Sequence, residues 1–506
     1  MAVTVPGPAA PAAPGALPLP APPAPAALAG EVRARRPRIV VVGDALLDGW
    51  LSGPAHRLGR DAPVPVLEVS ASSTAPGGAA NVAANLAALG ADVELVTVFG
   101  DDADGRALRA ALAEHGVGTA HAVVELGRTT PAKRRLVVSG QAVARYDTAC
   151  DVPLRRGSEV ALADAVTAAC PGADAVLVAD YGLGALSERV RRRIARTRRR
   201  MLVVDAHDLA PWGELAPDAV TPSAAEAAAL LGGPVPEDRL AWAVARREDL
   251  RERTGAAEVL LTLDTEGAVR LGDGPPLHRR AMHAAPDARA CGAGDTFVAA
   301  WTAARATGAE PELALSFAQS AADVVVARAG TAVCTSDALT ARLAAADRGR
   351  VLEHRDLLAA LAEHRRAGHR IVFTNGCFDV LHRGHVAYLR QARALGDVLV
   401  VALNGDDSVS RLKGPERPVN PLEDRAGVVG AVDAVDLVTA FHEDTPVDLI
   451  AQVRPDVYAK GGDYTAQMLP ETPVVERLGG EVRVLEYLSD HSTTAIVARI
   501  RATATS

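Results

Sequence analysis

Short apolar runs alternate with segments of helical spacing along most of this chain. Residues 38–44 (Arg-Ile-Val-Val-Val-Gly-Asp) form an apolar run that ends in Gly and Asp. Such a run is typical of a buried parallel strand with a functional loop at its carboxyl end. Similar runs occur at 93–99, 175–179, 201–204 and 259–263, and the segments between them are rich in Ala, Leu and Arg. This alternation predicts a mainly parallel α/β domain over residues 38–335.

A second series of strand-like runs begins at Ile371, after a charged segment at 336–368 that we interpret as a connector. The further runs lie at 398–403, 437–440, 457–459 and 482–485. The unit 369–506 is large enough to fold on its own. Because the two halves share no motif, the sequence predicts a fusion of two different α/β domains.

Residues 1–37 differ from the rest, since they hold ten of the 33 prolines and carry no charge before Glu31. This composition predicts a disordered tail, and it lacks the basic and uninterrupted apolar regions of a secretory signal.

Composition narrows the class of protein. With 49% apolar and 23% charged residues, the chain is not wholly disordered, and no apolar run is long enough to predict a membrane span. A net charge of −8 argues against nucleic acid as the main partner. The five cysteines include no CxxC pair. We therefore expect reduced thiols and a cytoplasmic location.

Lysine is rare in this sequence. Of 54 basic residues, 51 are Arg and only Lys133, Lys413 and Lys460 are Lys. An ammonium is a compact charge, whereas a guanidinium is a broad planar fork, so the two are not interchangeable at a tight site. Each lysine therefore marks a candidate site.

The sharpest motif of the first half is Gly292-Ala293-Gly294-Asp295-Thr296, which is followed by an apolar helical stretch. Glycines at the start of a helix let backbone N–H groups approach an anion, and the helix dipole favours negative charge there. Asp295 is then placed to take a proton from an attacking hydroxyl group.

Three further motifs accompany it, at residues 43–48, 76–81 and 262–267. Together, and in this order, they resemble the ribokinase-like (PfkB) carbohydrate kinases over about residues 38–335. The resemblance implies Asp295 as the catalytic base and Gly292, Ala293 and Gly294 as an anion hole. It also implies a sugar site formed by Asp44, Asp48, Gly77, Gly78 and Asn81. The ATP site that it implies is formed by Ser223, Glu226, Thr262 and Gly267.

Three stretches, at residues 61–66, 129–134 and 179–184, are most similar to heptose 7-phosphate kinases. This resemblance implies that Lys133 and Arg134 bind the phosphate of the sugar. The chain departs from the family at several positions, where it has Leu183, His207, Ser223, Arg289 and Cys291.

In the second half, residues 374–379 (Thr-Asn-Gly-Cys-Phe-Asp) lead to His382-Arg-Gly-His385 at the start of a helix. Two histidines three residues apart lie on one side of the first helical turn. A metal site and buried structural histidines are the alternatives. No third ligand of suitable spacing is near, and a Gly between the histidines suits an approaching phosphate.

The HxGH pattern after a strand and turn resembles the cytidylyltransferase-like nucleotidyltransferases, over about residues 369–500. The resemblance implies catalytic roles for His382, His385 and Lys413. It implies nucleotide or phosphate contacts from Asn375, Gly376, Phe378, Asp379, Lys460, Asp463, Ser492 and Thr493. Arg417 and Arg425 are further candidate phosphate contacts.

In this order the two motif sets resemble a family of bifunctional heptose 7-phosphate kinase/heptose 1-phosphate adenylyltransferases. This implies sugar phosphates and ATP as ligands, Mg²⁺ entering with ATP, no metal held by protein ligands alone, and a homodimer. Two alternatives stay open. One is an adenylyltransferase with a decayed, structural or regulatory kinase domain. The other is a pair of activities on another sugar or polyol phosphate, with CTP in place of ATP.

Overall fold

The protein is described by a computed structural model, which covers residues 25–60, 62–148, 152–235, 237–281, 291–328, 330–347, 351–462 and 465–485. The chain divides into two compact units between Ala344 and Ala345. Both units are α/β, as the alternation of apolar runs predicts.

The described residues of the first unit form sixteen strands. They are β1 (Arg38–Gly43), β2 (Ala45–Ser52), β3 (Arg57–Leu58), β4 (Pro65–Val66), β5 (Ala71–Gly78), β6 (Asp92–Val96), β7 (Val98–Gly100), β8 (Val123–Glu125), β9 (Ala132–Val138), β10 (Gln141–Thr148), β11 (Ala175–Asp180), β12 (Leu202–Ala206), β13 (Ala219–Val220), β14 (Glu258–Thr262), β15 (Ala268–Leu271) and β16 (Leu277–Arg279).

Eight of these strands form the main sheet, in the order β16-β15-β14-β13-β12-β11-β1-β6. The six strands from β14 to β6 are parallel, and β15 and β16 are antiparallel additions at one edge. Apolar side chains of β1 alternate between two cores, with Ile39 and Val41 in one and Val40 and Val42 in the other. A sheet buried on both faces explains the continuous apolar runs of the sequence.

A second sheet of four strands has the order β10-β9-β2-β5. Because β2 follows β1 after a single residue, Asp44, this smaller sheet starts directly at the carboxyl end of the main sheet. Strands β2 and β9 are parallel, with Asp48 paired to Lys133 in register.

The helices of the first unit cover the main sheet. They are α1 (Pro25–Arg35), α2 (Ala79–Leu89), α3 (Ala103–Glu114), α4 (Arg156–Ala169), α5 (Glu188–Arg196), α6 (Ala224–Leu230), α7 (Arg239–Ala245), α8 (Arg247–Thr254), α9 (Ala293–Ala306), α10 (Pro311–Val326) and α11 (Ser336–Asp347).

The prediction of a disordered tail over residues 1–37 is wrong for residues 25–35, which form helix α1. Leu28 and Val32 on this helix are fully buried in the core that also contains α9 and α10. Residues 25–35 therefore belong to the folded unit, and residues 1–24 lie outside the described part of the chain.

The segment 336–368 is not one connector in the structure. Leu339 and Leu343 of α11 are buried in the core of the first unit. The following residues form β17 (Val351–Leu352) and α12 (His354–Arg366), and Leu357 and Leu361 of α12 are buried in a core of the second unit. The charge of the segment lies mainly on α12, where Arg355, Arg365 and Arg366 are exposed while Leu357 and Leu361 are buried.

The second unit is built on one parallel sheet with the order β17-β20-β19-β18-β21-β22. Its other strands are β18 (Ile371–Gly376), β19 (Val398–Asn404), β20 (Leu437–Phe441), β21 (Val457–Gly461) and β22 (Glu481–Leu485). Its other helices are α13 (Arg383–Arg393), α14 (Asp406–Lys413), α15 (Leu422–Gly430), α16 (Val447–Val453) and α17 (Thr472–Arg477). Apolar cores lie on both faces of the sheet.

Among the described helices of both units, none combines the length and the apolar character that a bilayer crossing requires.

Candidate functional site

In the first unit, acidic residues gather at the carboxyl end of the main sheet. Asp44, Asp180 and Asp205 lie at or directly after the ends of the neighbouring strands β1, β11 and β12. This edge is where open α/β sheets bind their ligands.

Asp44 holds a loop in place. Its carboxylate accepts hydrogen bonds from the backbone N–H groups of Tyr181, Leu183 and Ala185, at 3.1, 3.0 and 2.9 Å. Burial raises the pKa of Asp44, and these backbone hydrogen bonds oppose that rise. In this geometry Asp44 anchors the loop 181–185, which carries Tyr181 toward the centre of the site.

Helix α9 begins at the Gly-rich turn that the sequence singles out. Gly292 is its N-cap with φ +80°, and a Cβ atom there would lie 2.7 Å from Asn81 Nδ2. Among the described residues no side chain caps this end, and the first N–H groups of the helix, from Ala293 to Asp295, have no acceptor within it. A Cβ atom on the exposed Gly294 would meet nothing within 4 Å. The turn therefore offers an open set of donors for an anion.

Asp295 lies at the base of this turn and accepts two hydrogen bonds. The Tyr181 hydroxyl donates to Oδ1 at 2.5 Å, and Asn81 Nδ2 donates to Oδ2 at 2.8 Å. Burial raises the pKa of Asp295, and the charge of Asp48 adds to the rise, while Tyr181, Asn81 and Lys133 lower it. A carboxylate with raised basicity is suited to accept a proton.

The orientation of the Asn81 amide is fixed by a chain of hydrogen bonds. The backbone N–H of Cys334 donates to Asn85 Oδ1, as does the Thr296 hydroxyl. Asn85 must therefore donate through Nδ2, which contacts Asn81 Oδ1 at 3.0 Å. Asn81 is then left with Nδ2 toward Asp295. The buried network thus requires Asp295 to be an acceptor.

The smaller sheet contributes cations to the site through alternate residues of β9. Lys133 lies 6.0 Å from the centre of the Tyr181 ring. Arg135, two residues on, donates to Asp48 Oδ1 at 2.9 Å and contacts Cys291 Sγ at 3.2 Å. The intervening Arg134 points to the opposite face, as strand geometry requires.

Arg134 forms an ion pair with Asp104 of α3, in which Nη2 donates to both carboxylate oxygens, at 2.7 and 2.6 Å. The structure therefore pairs Lys133 with Arg135 rather than with Arg134, the partner that the resemblance implies. The period of two along β9 is the signal that identifies Arg135 from the sequence.

The other residues implied in sugar binding lie around Asp48. Thr331 Oγ1 donates to Asp48 Oδ2 at 3.0 Å. A Cβ atom on Gly77 would lie 2.6 Å from that same oxygen, and one on Gly78, where φ is +57°, would lie 2.7 Å from the Asp44 carbonyl. The paired glycines therefore let the chain pass close to the Asp48 carboxylate and to the Asp44 backbone.

The residues implied in ATP binding have clear structural roles. Ser223 and Glu226 form a capping box at the start of α6, and Thr262 at the end of β14 bridges to Ser223. Gly267 has φ +95°, and a Cβ atom there would collide with the Arg279 carbonyl. These contacts account for the residue types without a nucleotide, so an ATP role for them stays a prediction.

In the second unit, the two histidines of the HxGH motif lie at the start of α13. The rings of His382 and His385 stack with their centres 3.8 Å apart, and Phe378 lies 5.2 Å from His385. Burial, with the nearby charges of His382 and Lys413, lowers the pKa of His385 to about 4. His385 is therefore neutral at pH 7 in the free protein.

The two lysines of this unit differ in their surroundings. Lys413 is exposed at the end of α14, before Gly414 with φ +99°. Lys460 Nζ donates to Asn375 Oδ1 at 2.9 Å and lies 4.0 Å from Glu471 Oε1. Burial lowers the pKa of Lys460. Lys413 is thus the more available of the two cations.

Asp379 and Arg417 bind each other in the structure. Asp379 also accepts hydrogen bonds from the N–H groups of Val419 and Asn420, at 2.7 and 3.1 Å. Gly376 is explained by packing, because a Cβ atom there would lie 2.9 Å from the Phe378 ring.

Arg425 is neither on the surface nor available to a phosphate. It is 1% exposed and donates to Asp406 and to the carbonyls of Asn420, Cys377 and Asn404. It links the strand ends of β18 and β19 to α15, which corrects its interpretation as a phosphate contact.

Asp463, Ser492, Thr493 and Arg289 lie outside the described residues, so their predicted roles have no structural counterpart here. Within the described ranges, no group of three or more His, Cys, Asp or Glu side chains is arranged to hold a metal ion.

Comparison with known proteins assigns both units to families. Residues 36–338 match the pfkB family carbohydrate kinases, and residues 373–499 match the cytidylyltransferase-like family. Phosphofructokinase-2 from Escherichia coli in complex with substrates and products has a similar fold, with a TM-score of 0.51 and 20% identity, over 61% of this chain and 98% of that one. The chain is therefore a carbohydrate kinase joined to a nucleotidyltransferase.

Relatives match over nearly the whole length. The bifunctional protein HldE of Alcanivorax borkumensis is 40% identical, over 92% of this chain and 97% of that one. Those of Hyphomonas neptunium and Pseudomonas aeruginosa are 38% and 39% identical, with the same coverage. This chain belongs to the HldE family of bifunctional enzymes.

Three residues of the kinase site escape a motif-based prediction. Tyr181 lies within a recognised stretch and Arg135 directly follows another, but the roles of these two residues and of Asp205 depend on which side chains the sheet brings together. The strand-end position of Asp205 is the one sequence signal that it shares with Asp44.

Proposed function

We propose that the first domain transfers the γ-phosphate of ATP to O1 of D-glycero-β-D-manno-heptose 7-phosphate, and that the second transfers AMP from ATP to heptose 1-phosphate. The products of the second reaction are ADP-heptose and pyrophosphate. The match of both domains to HldE proteins over 92% of the chain carries the proposal. The choice of a heptose rests on the three stretches that resemble heptose 7-phosphate kinases.

In the kinase reaction, Asp295 accepts the proton of the sugar hydroxyl while its oxygen attacks the γ-phosphorus. The N–H groups at the start of α9 stabilise charge that develops on the phosphate. Lys133 and Arg135 face this site from the smaller sheet and supply positive charge for the sugar phosphate. ATP binds as its Mg²⁺ complex, so the metal is part of the substrate.

In the nucleotidyl transfer, the attacking group is a phosphate oxygen that is already ionised, so the reaction needs no general base. The protein must instead position two anions and offset the charge that grows on the α-phosphate and the pyrophosphate. The lowered pKa of His385 makes it a neutral hydrogen-bond donor in the free enzyme. Lys413 therefore supplies the fixed positive charge.

A decayed kinase domain is the second candidate function, favoured by Leu183 and His207 in place of the family's usual lysines. Leu183 is buried, and its backbone N–H donates to Asp44, so the side chain itself takes no part in the site. The Asp295 network is nevertheless complete. This favours an active kinase.

The test is incubation of the full chain with ATP and Mg²⁺ plus either heptose 7-phosphate or heptose 1-phosphate, with product masses measured separately. We expect a bisphosphate from the first and ADP-heptose from the second. Absence of the bisphosphate with any sugar phosphate would establish the decayed-domain alternative. A CTP-derived product would contradict adenylyl transfer.

We also propose a cytoplasmic location, because ATP and both sugar phosphates are charged metabolites of the cell interior, and a homodimer, as the family resemblance implies. Light scattering of the purified chain tests the oligomeric state.

A further inference from the structure

The Tyr181 hydroxyl lies between two carboxylates of the kinase site. It is 2.5 Å from Asp295 Oδ1 and 3.3 Å from Asp205 Oδ2. A phenol carries one hydrogen, so it can donate to only one of the two. The short contact gives that hydrogen to Asp295. A hydrogen bond between Asp205 and Tyr181 then requires the hydrogen to come from Asp205.

The surroundings of Asp205 favour this protonated form near neutral pH. Burial raises the pKa of Asp205 to about 7, and the charges of Asp295 and Glu226 contribute to the rise, while the hydrogen bond from Thr221 lowers it. Its Oδ1 accepts from the Thr221 hydroxyl at 2.7 Å, which leaves Oδ2 toward Tyr181. Asp205 therefore changes charge near pH 7.

Other charged or titratable groups around these three are few and identifiable. Lys133 faces the Tyr181 ring, and the exposed His207 packs edge-on against the same ring at 5.2 Å. Asp48 and Cys291 lie near Asp295. None of them comes between Asp295 and Asp205, which are joined through Tyr181 alone in the described hydrogen bonds.

We propose that Asp295, Tyr181 and Asp205 form a proton relay, in which the proton of the attacking sugar hydroxyl ends on Asp205. This rests on the proposed kinase function. The O1–H bond breaks as the O1–phosphorus bond forms and ADP leaves, and the proton goes to Asp295. When Asp205 is ionised, the protonated Asp295 donates its proton to the Tyr181 oxygen, and the Tyr181 hydroxyl turns and passes its own hydrogen to Asp205. The base is thereby returned to its ionised state. Tyr181 and Asp205 are positioning residues that act through Asp295.

Asp205→Asn is the matched test, because the amide reproduces the protonated state of Asp205. The introduced amide can accept from Thr221 and donate to Tyr181, so the resting geometry is kept while the proton acceptor is lost. In the full chain, we expect kinase kcat of the variant to be close to wild type at pH 6, where Asp205 is protonated in the wild type. At pH 8 we expect a loss of at least about tenfold.

A purely structural role for Asp205 would lower the rate by the same factor at every pH, and that result would overturn the relay. Tyr181→Phe, which breaks the connection, should show the same pH-dependent loss. The exposed Asp208→Asn, three residues along, is the control and should leave the profile unchanged. Adenylyl transfer by the same samples reports on the second domain, and thermal unfolding reports on the first. A wild-type chain that phosphorylates no sugar phosphate refutes the kinase function itself, whereas an active wild type with an unshifted variant profile refutes only the relay.

Discussion

Substitution of Asp295 by Asn isolates the chemistry of the proposed base from the structure around it. Asn81 cannot turn its amide, because Asn85 holds its oxygen. The amide introduced at position 295 must therefore place its oxygen toward Asn81 and its nitrogen toward the Tyr181 oxygen. Tyr181 can follow by donating to Asp205, 3.3 Å away. The hydrogen-bond network closes without two donors facing each other, so we expect the variant to fold.

The expected loss is then that of a general base alone, about 10²- to 10⁴-fold in kcat of the kinase reaction. This corresponds to about 2.7–5.5 kcal/mol of activation free energy. The anion hole at the start of α9 is unchanged, so some catalysis should remain.

The assay measures sugar bisphosphate by mass at saturating ATP, and ADP-heptose formation from heptose 1-phosphate in the same samples. Adenylyl transfer should be unaffected. Asp295→Ala is the comparison, since it removes the base and both hydrogen-bond acceptors, and it should match Asp295→Asn in rate while unfolding at a lower temperature. A kinase rate within tenfold of wild type in Asp295→Asn would refute the role of Asp295 as the base.

Three other outcomes are expected. Lys413→Arg should slow ADP-heptose formation although the charge is kept. If one donor at the reacting phosphates is lost, the activation free energy should rise by up to about 2.7–4 kcal/mol. Turnover and ATP affinity both within twofold of wild type would contradict this prediction. A chain that begins at Arg38 should unfold its kinase domain more readily than one that begins at Pro25, because burial of Leu28 and Val32 contributes about 1.5–3 kcal/mol per side chain; equal melting temperatures would exclude a stabilising role for α1. Since the pKa of His385 falls from 6.5 to about 4 in the folded protein, the unfolded chain binds the extra proton between these values. The free energy of unfolding of the second domain should therefore decrease as pH falls through that window, by on the order of 2–3 kcal/mol, and in denaturant titrations at pH 7 and pH 5 this decrease should be smaller in His385→Gln.

The sequence predicts the fold where a local pattern and the tertiary structure agree. Strands β1, β11, β12 and β18 are buried on both faces of their sheets. Burial on both faces requires a continuous apolar run, which can be recognised in the sequence. Helix α1 escaped prediction because Leu28 and Val32 stand among Ala and Pro, and only their contacts with α9 and α10 give them a core to enter.

In the kinase site too, some residues can be predicted from a local pattern and others only from the tertiary structure. Asp295 and its glycines follow from a local turn, whose chemistry is contained in five consecutive residues. Tyr181 and Asp205 lie 114 and 90 residues before Asp295 in the sequence. They come close to Asp295 only because neighbouring strands end at one edge of the sheet. Arg425 shows the converse, since a charge in a motif-rich region is buried to bind three carbonyls.

The alternation along β9 makes the charge of the kinase site depend on strand register. Lys133 and Arg135 face the site, and Arg134 is bound on the other side by Asp104. A slip of one residue would exchange the faces, remove both cations from the site and replace them with Arg134. The Arg134–Asp104 ion pair, on the opposite face of the strand, therefore helps to fix the register of β9. A shift of β9 by one residue would therefore weaken sugar phosphate binding more than the loss of either cation alone, because it removes both.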